Sequence, residues 1–78
     1  MKDKLKQQLI TIISNVLKIS EHDALSAAYG QHYAWDSLSH VMLIANIETR
    51  LGIKYNPEEI PKMINLNEIL KYTIAKES

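Results

Sequence analysis

The sequence holds no cysteine, no phenylalanine, one tryptophan, two glycines and two prolines in 78 residues. Without cysteine, no disulfide or thiolate metal site can brace the chain, and it has no thiol chemistry of its own. Without phenylalanine, the core has to be built from Leu, Ile, Val and Met. The length allows a single small domain over residues 1–78. Hydrophobic residues make up 46% of the chain, enough for a core, although domains of this size are only marginally stable. No apolar run approaches the ~20 residues that span a bilayer. The lysines from Lys2 to Lys6 begin like the n-region of a signal peptide, but Gln7 and Gln8 follow and the apolar residues beyond them are spaced, not continuous. The expectation is a soluble, cytoplasmic chain with no membrane insertion.

Charge of one sign is also lacking: nine basic side chains balance nine acidic ones. The balance hides an asymmetry. Residues 1–18 carry Lys2, Lys4, Lys6 and Lys18 against Asp3, whereas residues 19–62 carry twice as many acids as bases. No cluster of Arg or Lys at groove-reading spacing stands out, which argues against a nucleic-acid binder. Solvated helix faces account for most of these charges.

What is present is helical periodicity. Leu5, Leu9, Ile12, Ile13, Val16 and Leu17 fall on one stripe and predict a first helix over Lys2–Lys18. A long stretch from Ile19 to Asp36 shows no sustained period. Ser20-Glu21-His22-Asp23 can cap a short turn of helix within it, and Tyr29, Tyr33 and Trp35 predict that the connection packs against the body. A second helix starts at Ser37, with Val41, Ile44, Ile47 and Leu51 as its inward stripe, Leu43 beside it, Glu48 on the rim and Gly52 as its stop. Asn56-Pro57-Glu58-Glu59 opens a short third helix to Met63, kept short by Pro61. Asn65-Leu66-Asn67-Glu68 opens a fourth, which ends near Ala75. None of these stripes is stable alone in water. The predicted fold is all-α: a small four-helix bundle of three main helices and a short third one, with a long loop between the first two.

Asp36-Ser37-Leu38 is the sharpest local feature. A hydroxyl at a helix start is exposed and held by the helix behind it. Were it esterified to phosphate, the negative diester would sit beside free N–H groups and the positive end of the helix dipole. The plain alternative is that Ser37 is an N-cap, since serine and aspartate are both favoured there.

Trp35-Asp36-Ser37-Leu38-Ser39-His40-Val41, together with Ile44, Ile47-Glu48 and Leu51-Gly52-Ile53, resembles the acyl carrier protein family. Asn56-Pro57-Glu58-Glu59-Ile60 is similar to that family's short third helix, and Leu66-Asn67-Glu68-Ile69 with Tyr72 to its fourth; residues 25–34 carry the least resemblance. The resemblance implies a carrier, not an enzyme. A phosphopantetheinyl transferase would move the 4'-phosphopantetheine arm of coenzyme A onto Ser37, and the thiol of that arm would hold acyl groups as thioesters. A chain without cysteine would thus import its thiol. The resemblance also implies docking on the second helix through Asp36, Leu38, Met42, Ala45 and Glu48, by acyl- or aminoacyl-adenylating or acyl-transferring enzymes, with the carrier itself a monomer. Ser39, Met42, Thr49 and Arg50 stand where many carriers of fatty acid synthesis have acids. This departure points to a dedicated biosynthetic pathway and to docking by contact more than by long-range charge.

Two other readings stand beside this one: an aminoacyl or peptidyl carrier, and a helical interaction module in which Ser37 only caps. His22, His32 and His40 offer potential ligands or bases, and His40 lies on roughly the same face as Ser37. No acid is placed to orient His40, and three scattered histidines without cysteine make a poor zinc site, so neither catalytic nor metal residues are assigned. Trp35 is read as a lid over one end of the bundle and Met63 as core.

Overall fold

A computed structural model of the chain describes residues 2–31 and 34–77. Four α-helices follow in order: α1 (Lys2–Leu17), α2 (Glu21–Ser26), α3 (Ser37–Leu51) and α4 (Leu66–Glu77). A 3-10 turn at Ile60–Lys62 lies between α3 and α4. Among the described residues there is no strand, only one isolated bridge between Ala28 and Asn65.

Helix α1 is central: α2, α3 and α4 all pack against it. Its buried arc is therefore wider than one stripe. Leu5, Leu9, Ile12, Ile13 and Leu17 are buried as expected, and Ile10 and Ser14 join them. The helix ends at Lys18, whose φ of 58 is the left-handed conformation usually given to glycine. There the Ile19 N–H donates to Ser14 O at 3.1 Å, which satisfies an end carbonyl.

Helix α2 lies inside the stretch expected to be a long loop. Ser20 caps it by accepting from the Asp23 N–H at 3.0 Å. Ala24 and Ala27 are buried, and their small side chains let this short helix sit close on α1. The remaining loop is tied down at Tyr29, whose N–H donates to Ile64 O at 2.8 Å, and at Gly30, whose N–H donates to Trp35 O at 3.1 Å. Trp35 is buried, so that part of the connection packs as expected; Tyr29 is more than a third exposed. Tyr33 and His32 lie outside the described residues.

The segment expected as a short third α-helix is instead a turn over 57–59 followed by the 3-10 turn. Pro61 has no N–H to return to Pro57, so the bonds that form are of the tighter kind: Lys62 N–H to Glu59 O at 2.9 Å and Met63 N–H to Ile60 O at 3.2 Å. Its start does behave as a cap, with the Asn56 N–H donating to Glu59 Oε1 at 2.8 Å. Glu59 also pairs with Lys76 at 2.9 Å, and this contact, above all, holds its carboxyl below the usual range.

Helix α4 is capped by Asn65, whose Oδ1 accepts from the Glu68 N–H at 2.9 Å. It buries Leu66, Ile69 and Thr73. The Thr73 hydroxyl donates to Ile69 O at 2.6 Å, so the buried Tyr55 hydroxyl donates to Thr73 Oγ1 at 2.5 Å. This bond pins the link after α3 to α4. The radius of gyration is 11.2 Å, close to the ~11.5 Å expected of a compact chain of this length. Among the described residues no helix is long and apolar enough to cross a membrane.

Candidate functional site at the start of helix α3

The two stripes of α3 define the site. The buried stripe is His40, Leu43, Ile44 and Ile47, with half-buried Leu51 continuing it. Val41, expected to point inward, is 62% exposed. It belongs to a second stripe with Leu38 (70% exposed), Met42 (49%) and exposed Ala45, spaced i, i+3, i+4, i+7. An apolar reading of the period places a valine inside and a histidine outside. Here they exchange, because the histidine finds partners in the buried Trp35 and the half-buried Ile60.

Those partners fix its tautomer. The Trp35 indole Nε1–H can only donate, and it donates to His40 Nδ1 at 3.0 Å. The Ile60 carbonyl can only accept, so His40 Nε2–H donates to it at 2.8 Å. The Tyr29 ring stands edge-on to the imidazole, with centroids 4.9 Å apart. His40 is thus a neutral bolt joining the loop before α3, α3 itself and the 3-10 turn. With both nitrogens engaged it cannot serve as a base for Ser37. Its spacing from Ile44, Ile47 and Leu51 (i, i+4, i+7, i+11) is the signal that could have placed it in the core.

Asp36 and Ser37 divide the two roles that either could fill. Asp36 is the N-cap: its Oδ1 accepts from the Ser39 N–H at 2.9 Å, and that bond, foremost, holds its carboxyl below the usual range. Ser37 is therefore the first helical residue, not the cap. It is exposed, and its hydroxyl makes no hydrogen bond among the described residues. The Leu38 ridge begins beside it. First-turn amides not taken by the cap have no acceptor within the helix, and they favour a negative group attached there. These features fit a phosphodiester on the Ser37 hydroxyl: an unengaged oxygen, open solvent around it and a fifteen-residue helix behind it.

The other expected contact residues fare differently. Leu38, Met42 and Ala45 share the exposed stripe with Val41, within eight residues of Ser37. Glu48 is half-buried, and its Oε2 accepts from the Tyr55 N–H at 2.8 Å, holding the link after α3. Its carboxylate is occupied by the chain's own backbone. Met63 is fully buried, whereas Met42 faces outward. Of the histidines, His22 is exposed on α2 and His40 is buried. No group of three His, Cys, Asp or Glu among the described residues could hold a metal ion. No protein-family model matches the chain, and no curated protein matches it.

Proposed function

We propose that this chain is an acyl carrier protein whose Ser37 takes a 4'-phosphopantetheine arm from coenzyme A through a phosphopantetheinyl transferase. The observation that carries the reading is the Ser37 hydroxyl. It is exposed at the first position of α3, it makes no hydrogen bond among the described residues, and Asp36 relieves it of the capping role. Capping therefore does not account for this serine. The arm supplies a terminal thiol that holds an acyl group as a thioester, which a chain without cysteine otherwise lacks.

The rest of the helix supports this reading. The helices α1, α3 and α4, with α2 against α1, form a small bundle that presents α3 at its surface. The stripe of Leu38, Val41, Met42 and Ala45 gives partner enzymes an uncharged ridge beside the arm. The acids beside the ridge, exposed Asp36 and half-buried Glu48, each hold a backbone N–H of the chain, and the ridge between them is uncharged. Partners fitted to such a face dock by shape and apolar contact more than by charge. This favours a dedicated acyl pathway over the acid-steered partners of housekeeping fatty acid synthesis. Incubation with coenzyme A and a broad-specificity transferase is expected to add about 340 Da to the chain. The Ser37→Ala variant gains nothing. A chain that stays at its starting mass with a transferase active on other carriers removes the proposal.

A further inference from the structure

About 20 Å along α3 from Ser37, by the rise of thirteen helical residues, a second feature opens. The first three turns of α1 and the last turn of α3 line an open groove of ≈ 520 Å³. Lys4, Gln7 and Thr11 line it from α1, and Arg50 from α3. Ile12 is buried and Leu51 half-buried, so these two make an apolar floor. The volume falls within the ~300–1,000 Å³ of small-molecule sites, which are mostly apolar with a few placed polar groups.

The charges in the groove are of one sign. No acidic side chain lines it, and neither Lys4 nor Arg50 has an ion pair among the described residues. Glu21, on α2, stands beside the groove, its carboxylate accepting from the lining Gln7 and Thr11, each at 3.4 Å, and its single charge is outnumbered by Lys4 and Arg50. Glu48, two residues before Arg50, is held by Tyr55. Fold stability accounts for Arg50 alone, since a cation in the last turn of a helix meets the negative end of its dipole. It does not account for Lys4, which sits in the first turn of α1, where the dipole disfavours a cation. Two unpaired cations facing one groove above an apolar floor form the complement of an anion with an apolar body.

We propose that this groove binds a small amphiphilic monoanion, an aliphatic carboxylate. The carboxylate lies between Lys4 and Arg50, the guanidinium supplying its planar pair of donors. The aliphatic body lies over Ile12 and Leu51. The site is separate from Ser37, and binding there requires no arm.

The test is a titration of the full chain with decanoate, decanol and decyltrimethylammonium, followed by backbone amide NMR shifts. Decanoate is expected to give saturable shifts over Lys4–Ile12 and at Arg50 and Leu51. The neutral and cationic amphiphiles should bind about tenfold more weakly or less, as expected for loss of a charge-assisted contact. The double variant Lys4→Glu, Arg50→Glu changes two exposed side chains, so it keeps its helical circular dichroism while its decanoate affinity falls by about the same factor or more. Equal response to all three amphiphiles overturns the assignment. So does the absence of saturable shifts, or shifts centred on Leu38–Ala45 instead. The comparison of amphiphiles uses the unmodified chain, so it decides the matter even if the double variant folds poorly.

Discussion

At the start of α3, neighbouring polar residues carry separate loads. Asp36 holds the Ser39 N–H, and the Ser37 hydroxyl holds no partner among the described residues. Substituting Asp36 with Ala is therefore expected to lower the thermal midpoint, whereas Ser37→Ala should leave stability within about 0.5 kcal/mol, as for other unengaged surface positions. The acid limb carries the same information. The Asp36 carboxyl is depressed in the folded state from its ordinary value of 3.8 by the Ser39 N–H, foremost. Its contribution is complete above that ordinary value and is lost as pH falls through the lower folded one. Thermal midpoints measured from neutral pH down into this range should fall less steeply for Asp36→Asn than for the parent chain. An unchanged slope would mean that the cap is not formed. His40 is the other residue with a defined load. His40→Leu leaves the buried Trp35 N–H and the half-buried Ile60 carbonyl without their partner, at a cost of about 1–3 kcal/mol. Urea unfolding followed by the fluorescence of Trp35 measures it, and a loss below 1 kcal/mol, the scale of a single neutral hydrogen bond, would contradict the bolt.

Helix α3 shows how far a sequence can be read at the scale of an element. Its ends are legible, because Asp36 and Gly52 are strong terminal signals and both act as such: Gly52 adopts φ 67 and its N–H returns to Glu48 O at 2.9 Å. Its inward face is legible at Ile44, Ile47 and Leu51, but not at the first turn. Hydropathy alone cannot place His40 inside, because its burial depends on Trp35 and on Ile60, twenty residues away. The same holds for Glu48, whose rim position follows from the period but whose partner, the Tyr55 N–H, depends on how the chain returns after Gly52. Helix α2 escapes a periodicity reading because six residues are too few to show a period; its Ser20 cap was the visible part. For the candidate site, the exposed positions of Ser37, Leu38, Met42 and Ala45 were legible, and the exposure of Val41 was not. That exposure carries a prediction. Val41→Ser and Met42→Ser should each leave stability within about 0.5 kcal/mol and still slow the loading of Ser37, because these side chains face solvent on the proposed docking stripe and not the core. Loading rates equal to those of the parent chain would remove this stripe from the docking surface.

Over the whole molecule, the two ends of α3 are different surfaces. The end with Ser37 is an apolar ridge with one acid; the other is a groove with two cations. The core itself runs through α1 and the inner faces of α3 and α4, and it reaches the groove at Ile12 and Leu51. The central claim is that the exposed Ser37 hydroxyl carries the arm, and locating the modification tests it most directly. The chain is incubated with coenzyme A and a broad-specificity phosphopantetheinyl transferase, cut with trypsin, and its peptide from Ile19 to Arg50 is fragmented in a mass spectrometer. That peptide holds Ser20, Ser26, Ser37 and Ser39, so the fragments distinguish the serines. The account predicts an added mass of about 340 Da on Ser37 alone. An unmodified peptide, or the added mass on any other serine, would contradict it.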